Sequence, residues 1–229
     1  ASGKGEVVNL LNAWLDPRGV ETFSYHAPTG SEQVHPHQWR FWRSLPGIGR
    51  IGLYAGSWYT ETLREEARGK RALGYVEQEA ERIRDFEKLL ADGGTLIIKV
   101  WLQISKDAQG RRLRTLRAEP ATAWRVTEED WHHHRIYDRL AKTARLIRAK
   151  TDRPGARWNI IDAEDERARD LQVGQLLLTQ FRLQQQKMAR LRPAVAPRVV
   201  KSLRPAGLRR LQALPLDQDL SEKDYDALR

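Results

Sequence analysis

The 229-residue chain has no cysteine, a single methionine and only four phenylalanines. Without thiols there is no disulfide framework and no thiolate metal site, a composition that suits a reducing, cytoplasmic setting. No apolar run approaches the roughly 18 residues that a membrane span needs, and no secretory leader pattern is visible. Acid is scarce relative to base. Lys and Arg number 40 against 30 Asp and Glu, a formal net charge of +10. Such a balance favours a polyanionic partner, whether nucleic acid, a phosphorylated metabolite, inorganic polyphosphate or an anionic membrane surface, and charge alone does not choose among them. With 40% hydrophobic and 31% charged residues, the chain reads as globular. Its length fits one large domain, or one domain and a tail.

The first residues are Ala1-Ser2-Gly3-Lys4-Gly5-Glu6, and an apolar helical pattern follows at once. They match the second half of a G-x-x-x-x-G-K loop, which cradles phosphate with backbone N–H groups while its Lys reaches the outer phosphates. The first Gly and the strand feeding the loop are expected before residue 1, so the chain reads as a piece of a longer protein that lacks its first strand. Gly5 stands where a Ser or Thr hydroxyl usually helps to hold Mg²⁺.

Val7, Val8, Leu10, Leu11 and Trp14 recur at helical spacing, which predicts a helix over Lys4–Trp14, stopped at Asp16-Pro17-Arg18-Gly19. Short strands are expected at Val20–Tyr25 and Arg50–Tyr54, with a helix at Val34–Leu45 between them. A strong amphipathic helix is expected at Gly74–Leu90, then an apolar strand at Thr95–Ile104, the kind of run that lies in a parallel sheet covered on both faces. Residues 105–149 read as basic and mostly helical. Trp158–Ile161 reads as a strand and Glu164–Met188 as a long helix. This alternation predicts an α/β fold with a parallel sheet. Beyond residue 190 the texture changes. Pro193, Pro197, Pro205 and Pro215 lie among Arg, Leu and Val, and the last residues turn acidic. Residues 1–190 therefore read as a domain and 191–229 as a Pro-containing linker.

Within this frame, Gly56-Ser57-Trp58-Tyr59 follows a strand, where open α/β sheets place their ligand crevice. Phosphoryl transfer calls for a metal-holding carboxylate there, yet Ala55 and Gly56 occupy the edge. Trp58 and Tyr59 are equally well read as core aromatics. Arg111 and Arg114 share a helix face, as do Arg114 and Arg117, with Arg112 on the flank, and guanidinium forks match phosphate oxygens. His132-His133-His134 are consecutive, so on a helix they point about 100° apart and do not converge on a metal. A nucleic-acid module is the competing reading of the charge, but the aromatics fall in apparent core elements and are not interleaved with Lys and Arg.

Seven blocks in order carry a resemblance: ASGKGE at 1–6, LDPRGVET at 15–22, PTGSE at 28–32, WRFWRSLP at 39–46, GSWYTETL at 56–63, KVWLQISKDAQGRR at 99–112 and AWRVTEEDW at 123–131. With looser similarity up to about residue 185, the chain resembles the polyphosphate kinase 2 family, and most closely the N-terminal half of the fused two-domain polyphosphate:AMP phosphotransferases. The resemblance implies a P-loop kinase-like fold, a three-layer parallel sheet flanked by helices with a helical lid. It implies polyphosphate as donor, AMP or a related nucleotide as acceptor, Mg²⁺ as cofactor and a second domain of the same kind in the full-length protein. Carried over, Ser2, Gly3, Lys4 and Gly5 bind phosphate, with Lys4 the catalytic residue. Arg18 and Arg40 line the anion channel, Lys99 precedes the lid, and Arg111, Arg112 and Arg125 belong to it.

The departures point the other way. Active members carry Asp-Arg before Ser-Trp-Tyr, then one residue and an Arg after it; here Ala55, Gly56, Thr60 and Glu61 stand at those positions. A later Asp-Lys pair is matched by Asp165-Glu166. No metal ligand is evident in the chain, unless Asp16 or Glu32 substitutes. The expectation is a domain that binds polyphosphate and transfers phosphate poorly or not at all.

Overall fold

A computed structural model describes residues 2–69 and 74–191. Two compact units divide the chain, Ala1–Gln185 and Gln186–Arg229. Of the second unit, the described part is the helical stretch 186–191, and apart from Leu191 the expected linker lies outside the described residues. Everything below concerns the first unit.

Helix α1 (Lys4–Trp14) opens on Gly3 and ends before a 3₁₀ turn at Pro17–Gly19, where Asp16 accepts a hydrogen bond from the Arg18 backbone N–H. Strand β1 (Val20–Phe23) follows, then the short helices α2 (Gly30–Gln33) and α3 (Trp39–Trp42), strand β2 (Ile51–Tyr54), and helices α4 (Thr60–Arg68) and α5 (Tyr75–Asp92). Strand β3 (Lys99–Gln103) leads into α6 (Lys106–Ala118), α7 (Glu128–Arg135) and α8 (Tyr137–Thr151), and β4 (Trp158–Asp162) into α9 (Glu166–Leu191).

The helix expected over Val34–Leu45 is reduced to the single turn of α3. Pro36 disfavours helical backbone at His35 and has no N–H to donate, and Val34 is left exposed. Helix α4 was not expected. The strand expected from Thr95 begins only at Lys99.

Both strand pairs are parallel. β1 pairs with β2 from Val20–Ile51 to Phe23–Tyr54, and β3 with β4 from Lys99–Trp158 to Gln103–Asp162. Among the described residues, β2 and β3 each pair along one edge only. The strands form a middle layer because successive side chains alternate between faces. Leu53, Val100, Leu102 and Ile161 pack with Val7 and Leu11 of α1 and Val173 of α9. Tyr54 and Trp158 turn the other way, onto Phe41, Trp58, Tyr59, Ile83, Phe86 and Ile147 of the opposite helical layer. The α/β class and its parallel strands therefore stand as read from the sequence.

The second cluster encloses a charged network. Glu87 is fully buried and Lys99 nearly so. The Lys99 Nζ donates to Glu87 Oε2 and to the Thr151 carbonyl, both at 2.8 Å, and to the Tyr59 hydroxyl at 3.2 Å. Tyr59 and Trp58 donate to Glu87 Oε1 at 2.6 and 3.1 Å. The ammonium also lies 4.9 Å from the Trp158 ring centre. Each donor of Lys99 and both oxygens of Glu87 are thus engaged, which is what makes two buried charges tolerable.

Candidate functional site

A cleft of about 850 Å³ opens where α1 begins, beside the carboxyl end of β3 and beneath α4, α7 and α8. Its floor is Trp101 to Ile104 of β3, and Ser2 and Lys4 stand at its edge. Gly3 caps α1 with φ 82°, the left-handed region that glycine enters readily. The Gly3 carbonyl accepts from the Val7 N–H. The helix N-terminus this turn creates has unpaired N–H groups and the positive end of the helix dipole.

Lys4 has no ion-pair or hydrogen-bond partner among the described residues. Its side chain is accessible, yet protein crowds around it. That crowding first, and the neighbouring Arg64 second, hold its pKa below the ordinary lysine value. Arg64 comes from α4, and Arg145 and Arg148 from α8, where a spacing of three puts them on one face. Burial, then Arg145, lower the Arg148 pKa; its guanidinium lies 4.8 Å from the Trp101 ring centre, and its Nη1 is buried without a hydrogen-bond partner. Four cations thus converge on one concave surface, and Lys4 and Arg148 keep donors unspent. A group that delocalises negative charge over several oxygens fits such a surface.

The facing wall carries Glu129, Asp130 and Asp138. These acids are engaged elsewhere. Asp130 closes a capping box with Thr127, Asp138 pairs with Lys106 at 2.7 Å, and Glu129 lies 3.7 Å from His133.

The other residues expected at the site are placed differently. Arg18 is exposed and forks onto Asp16, reaching it at 2.7 Å. Arg40 is packed over the Tyr25 ring at 4.7 Å, donates to the His26 carbonyl and lies 3.4 Å from Glu32. Lys99 belongs to the buried network. Arg111 is exposed, and Arg112 donates to the carbonyls of Ala163 and Glu164 at 2.7 and 3.0 Å. Arg125 lies on a 3₁₀ turn (Ala123–Arg125) and reaches Glu6, 4.0 Å away, beside the loop. Gly5 has open space where a side chain would begin. The cleft lining therefore includes Ser2 and Lys4 of the expected set and adds Arg64, Arg145 and Arg148, which sequence reasoning did not single out. The spacing of Arg145 and Arg148 was a usable signal; for Arg64 there was none without α4.

The three consecutive histidines diverge. His132 meets the Ala67 carbonyl, His133 faces Glu129, and His134 Nδ1 lies 3.0 Å from Gln109 Oε1.

A magnesium ion is a poor fit to the donors present at this cleft. The carboxyl end of β2 offers Ala55 and Gly56, and a Cβ on Gly56 would already lie 3.1 Å from the Tyr25 carbonyl oxygen. The two acids named as substitutes are committed, Asp16 to Arg18 and Glu32 to the Thr29 N–H at 2.8 Å. Among the described residues no three His, Asp or Glu side chains gather as a metal site.

Sequence comparison decides the family. The profile described as polyphosphate kinase 2 matches residues 1–189. The chain belongs to the polyphosphate kinase 2 family. Within it, a polyphosphate:AMP phosphotransferase of Pseudomonas aeruginosa is 37% identical over 226 residues, 98% of this chain but 45% of that protein. A protein of the same name from Acinetobacter johnsonii is 32% identical and is matched over 38% of its length. The chain thus spans less than half of either relative. Among solved structures, polyphosphate kinase 2 from Arthrobacter aurescens TC1 superposes with a TM-score of 0.75 at 31% identity. That match covers 78% of this chain and 63% of that one. A second, from Pseudomonas aeruginosa PA01, gives 0.69 at 32% identity and covers 99% of this chain and 41% of the other. These likenesses agree with the P-loop kinase-like fold of the polyphosphate kinase 2 family.

Proposed function

We propose that this chain is a polyphosphate-binding domain of a polyphosphate:AMP phosphotransferase, one that grips the phosphate chain at the Lys4 cleft and transfers phosphate feebly or not at all. The observation that carries it is the convergence of Lys4, Arg64, Arg145 and Arg148 on one cleft whose neighbouring strand end presents Ala55 and Gly56. Phosphoryl transfer depends on charge neutralisation in the transition state, and losing one such stabiliser lowers the rate by roughly 10²–10³. Binding makes no such demand and needs only cations with donors to spare, as Lys4 and Arg148 have.

The names of the relatives supply polyphosphate and AMP as the substrate pair. A second, catalytic half in the full-length protein, a linker role for 191–229 and a cytoplasmic location belong to the same proposal. Among the described residues, no helix is long and apolar enough to cross a membrane.

The test pairs calorimetric titration with inorganic polyphosphate against an assay for ADP from AMP and polyphosphate. Saturable binding that weakens with salt, with turnover at least about 10²-fold below an active family member, is the expected result. Vigorous turnover that Lys4→Ala abolishes would overturn the reading and make this chain a catalyst in its own right.

A further inference from the structure

Arg169 stands near the start of α9 and is 1% exposed. A side chain of this size and charge is rarely enclosed unless it is paired. Its Nη1 lies 3.0 Å from Glu6 Oε2 and its Nε 2.8 Å from Asp170 Oδ1. The guanidinium also fills the space beside Gly3. A Cβ built on Gly3 would lie 1.8 Å from Nη1 and 2.8 Å from Cζ. One cation from the far end of the domain therefore touches the turn before Lys4 and holds the first turn of α1 through Glu6.

Nothing in the hydrophobic core requires an arginine there. Val173, one turn further along α9, belongs to an apolar cluster with Val7, Leu11 and Ile161, and an apolar side chain at position 169 would carry no desolvated charge. What the arginine adds is direction. A glycine turn has many conformations of similar energy, and a two-point contact removes most of them. The geometry points to Arg169 as a positioning residue, one that holds Gly3–Glu6 in the turn which presents Lys4 and the free N–H groups of α1 to the cleft. For its effect on ligand affinity, this inference rests on the cleft being the polyphosphate site; for its effect on the loop, it does not.

The experiment follows both quantities in the same samples. Arg169→Lys keeps the charge and loses the fork; Glu6→Gln, at an exposed position, removes the counter-charge and leaves Arg169 in place. Amide hydrogen exchange is read for the loop at Val7, whose N–H donates to the Gly3 carbonyl, and for the core at Ile83, and affinity for inorganic polyphosphate is read by calorimetry. Exchange at the loop should quicken about tenfold in each variant while Ile83 is unchanged, and affinity should fall about tenfold, the weight of one charge-assisted hydrogen bond. Should Arg169→Lys fail to fold, Glu6→Gln carries the test alone. Loop exchange that stays at its original rate overturns the assignment. So does exchange that rises equally at the loop and at Ile83, since that marks a general loss of stability. If the unaltered chain does not bind polyphosphate, the proposed function falls, and loop exchange by itself then upholds or overturns the role of Arg169.

Discussion

The core around Lys99 and the cleft around Lys4 both press a lysine below its ordinary pKa by burial, but only the core supplies what a buried ammonium needs. Lys99 has a carboxylate, a carbonyl and a hydroxyl at its three donors. Lys4 has Arg64 for a neighbour and no partner among the described residues. Desolvation without pairing is unfavourable to the apo protein and is relieved when an anion arrives. The difference teaches how to tell a structural cation from a waiting one: both are crowded by protein, and only the second leaves its donors open.

The sharpest way to break the comparison is to remove one side of the core pair. Glu87→Gln leaves Lys99 buried without its counter-charge and should destabilise the fold by about 3–5 kcal/mol in denaturant unfolding. The paired change Glu87→Leu with Lys99→Met should recover most of that loss. If Glu87→Gln unfolds like the unaltered chain, the core lysine is no more committed than Lys4.

The mirror experiment is Lys4→Ala. Here stability should move by no more than about 0.5 kcal/mol. Polyphosphate binding should weaken by about 1.5–3 kcal/mol, the range for hydrogen bonds to charged groups. Equal effects on stability and binding would erase the distinction between the two lysines.

Gly56 tests whether the strand end beside the cleft has room for the family's arginine. The Tyr25 backbone already lies against it, so Gly56→Arg should overpack the site and reduce stability by about 1–3 kcal/mol without raising turnover. A stable, newly active Gly56→Arg protein would show that the cleft lacks only that cation.

The smallest effect is in pH. The folded-state pKa of Lys4 lies below the ordinary 10.5, so on raising the pH the folded chain releases this proton before the unfolded chain does. Between those two values the unfolded state holds more protons, and the Lys4 contribution to stability rises with pH. Anion affinity moves the opposite way, falling across the same window as the charge is lost. Calorimetric affinities measured upward from neutral pH should show the decline, and Lys4→Arg should displace it to higher pH.

Local patterns made α1, α5, β3, β4 and the parallel class legible, since α1 and α5 are periodic runs set off by Gly or Pro, and β3 and β4 are short apolar runs that follow Gly. Helix α4 was not, because its sequence, TETLREEAR, is mostly charged and offers only Leu63 and Ala67 as an apolar stripe. With it went Arg64. Lys99 was placed among the phosphate-binding residues by the family resemblance; its partner Glu87 lies 12 residues earlier, on a helix whose buried face includes two glutamates. The loop motif marked Lys4 from the sequence. Its support by Arg169 was invisible, since the pair of Glu6 and Arg169 spans 163 residues, and no spacing rule reaches that far.

The guanidinium lodged beside Gly3 also sets an order in which this protein can change. Elsewhere a left-handed position will accept asparagine at modest strain; here any side chain at position 3 must also displace the Arg169 guanidinium, so a selection at that position should favour glycine more strongly than left-handed backbone alone would. Shortening Arg169 first would open that volume and admit a second residue at position 3. Taken in the reverse order, the first step would push the guanidinium off Glu6 before anything had made room for it.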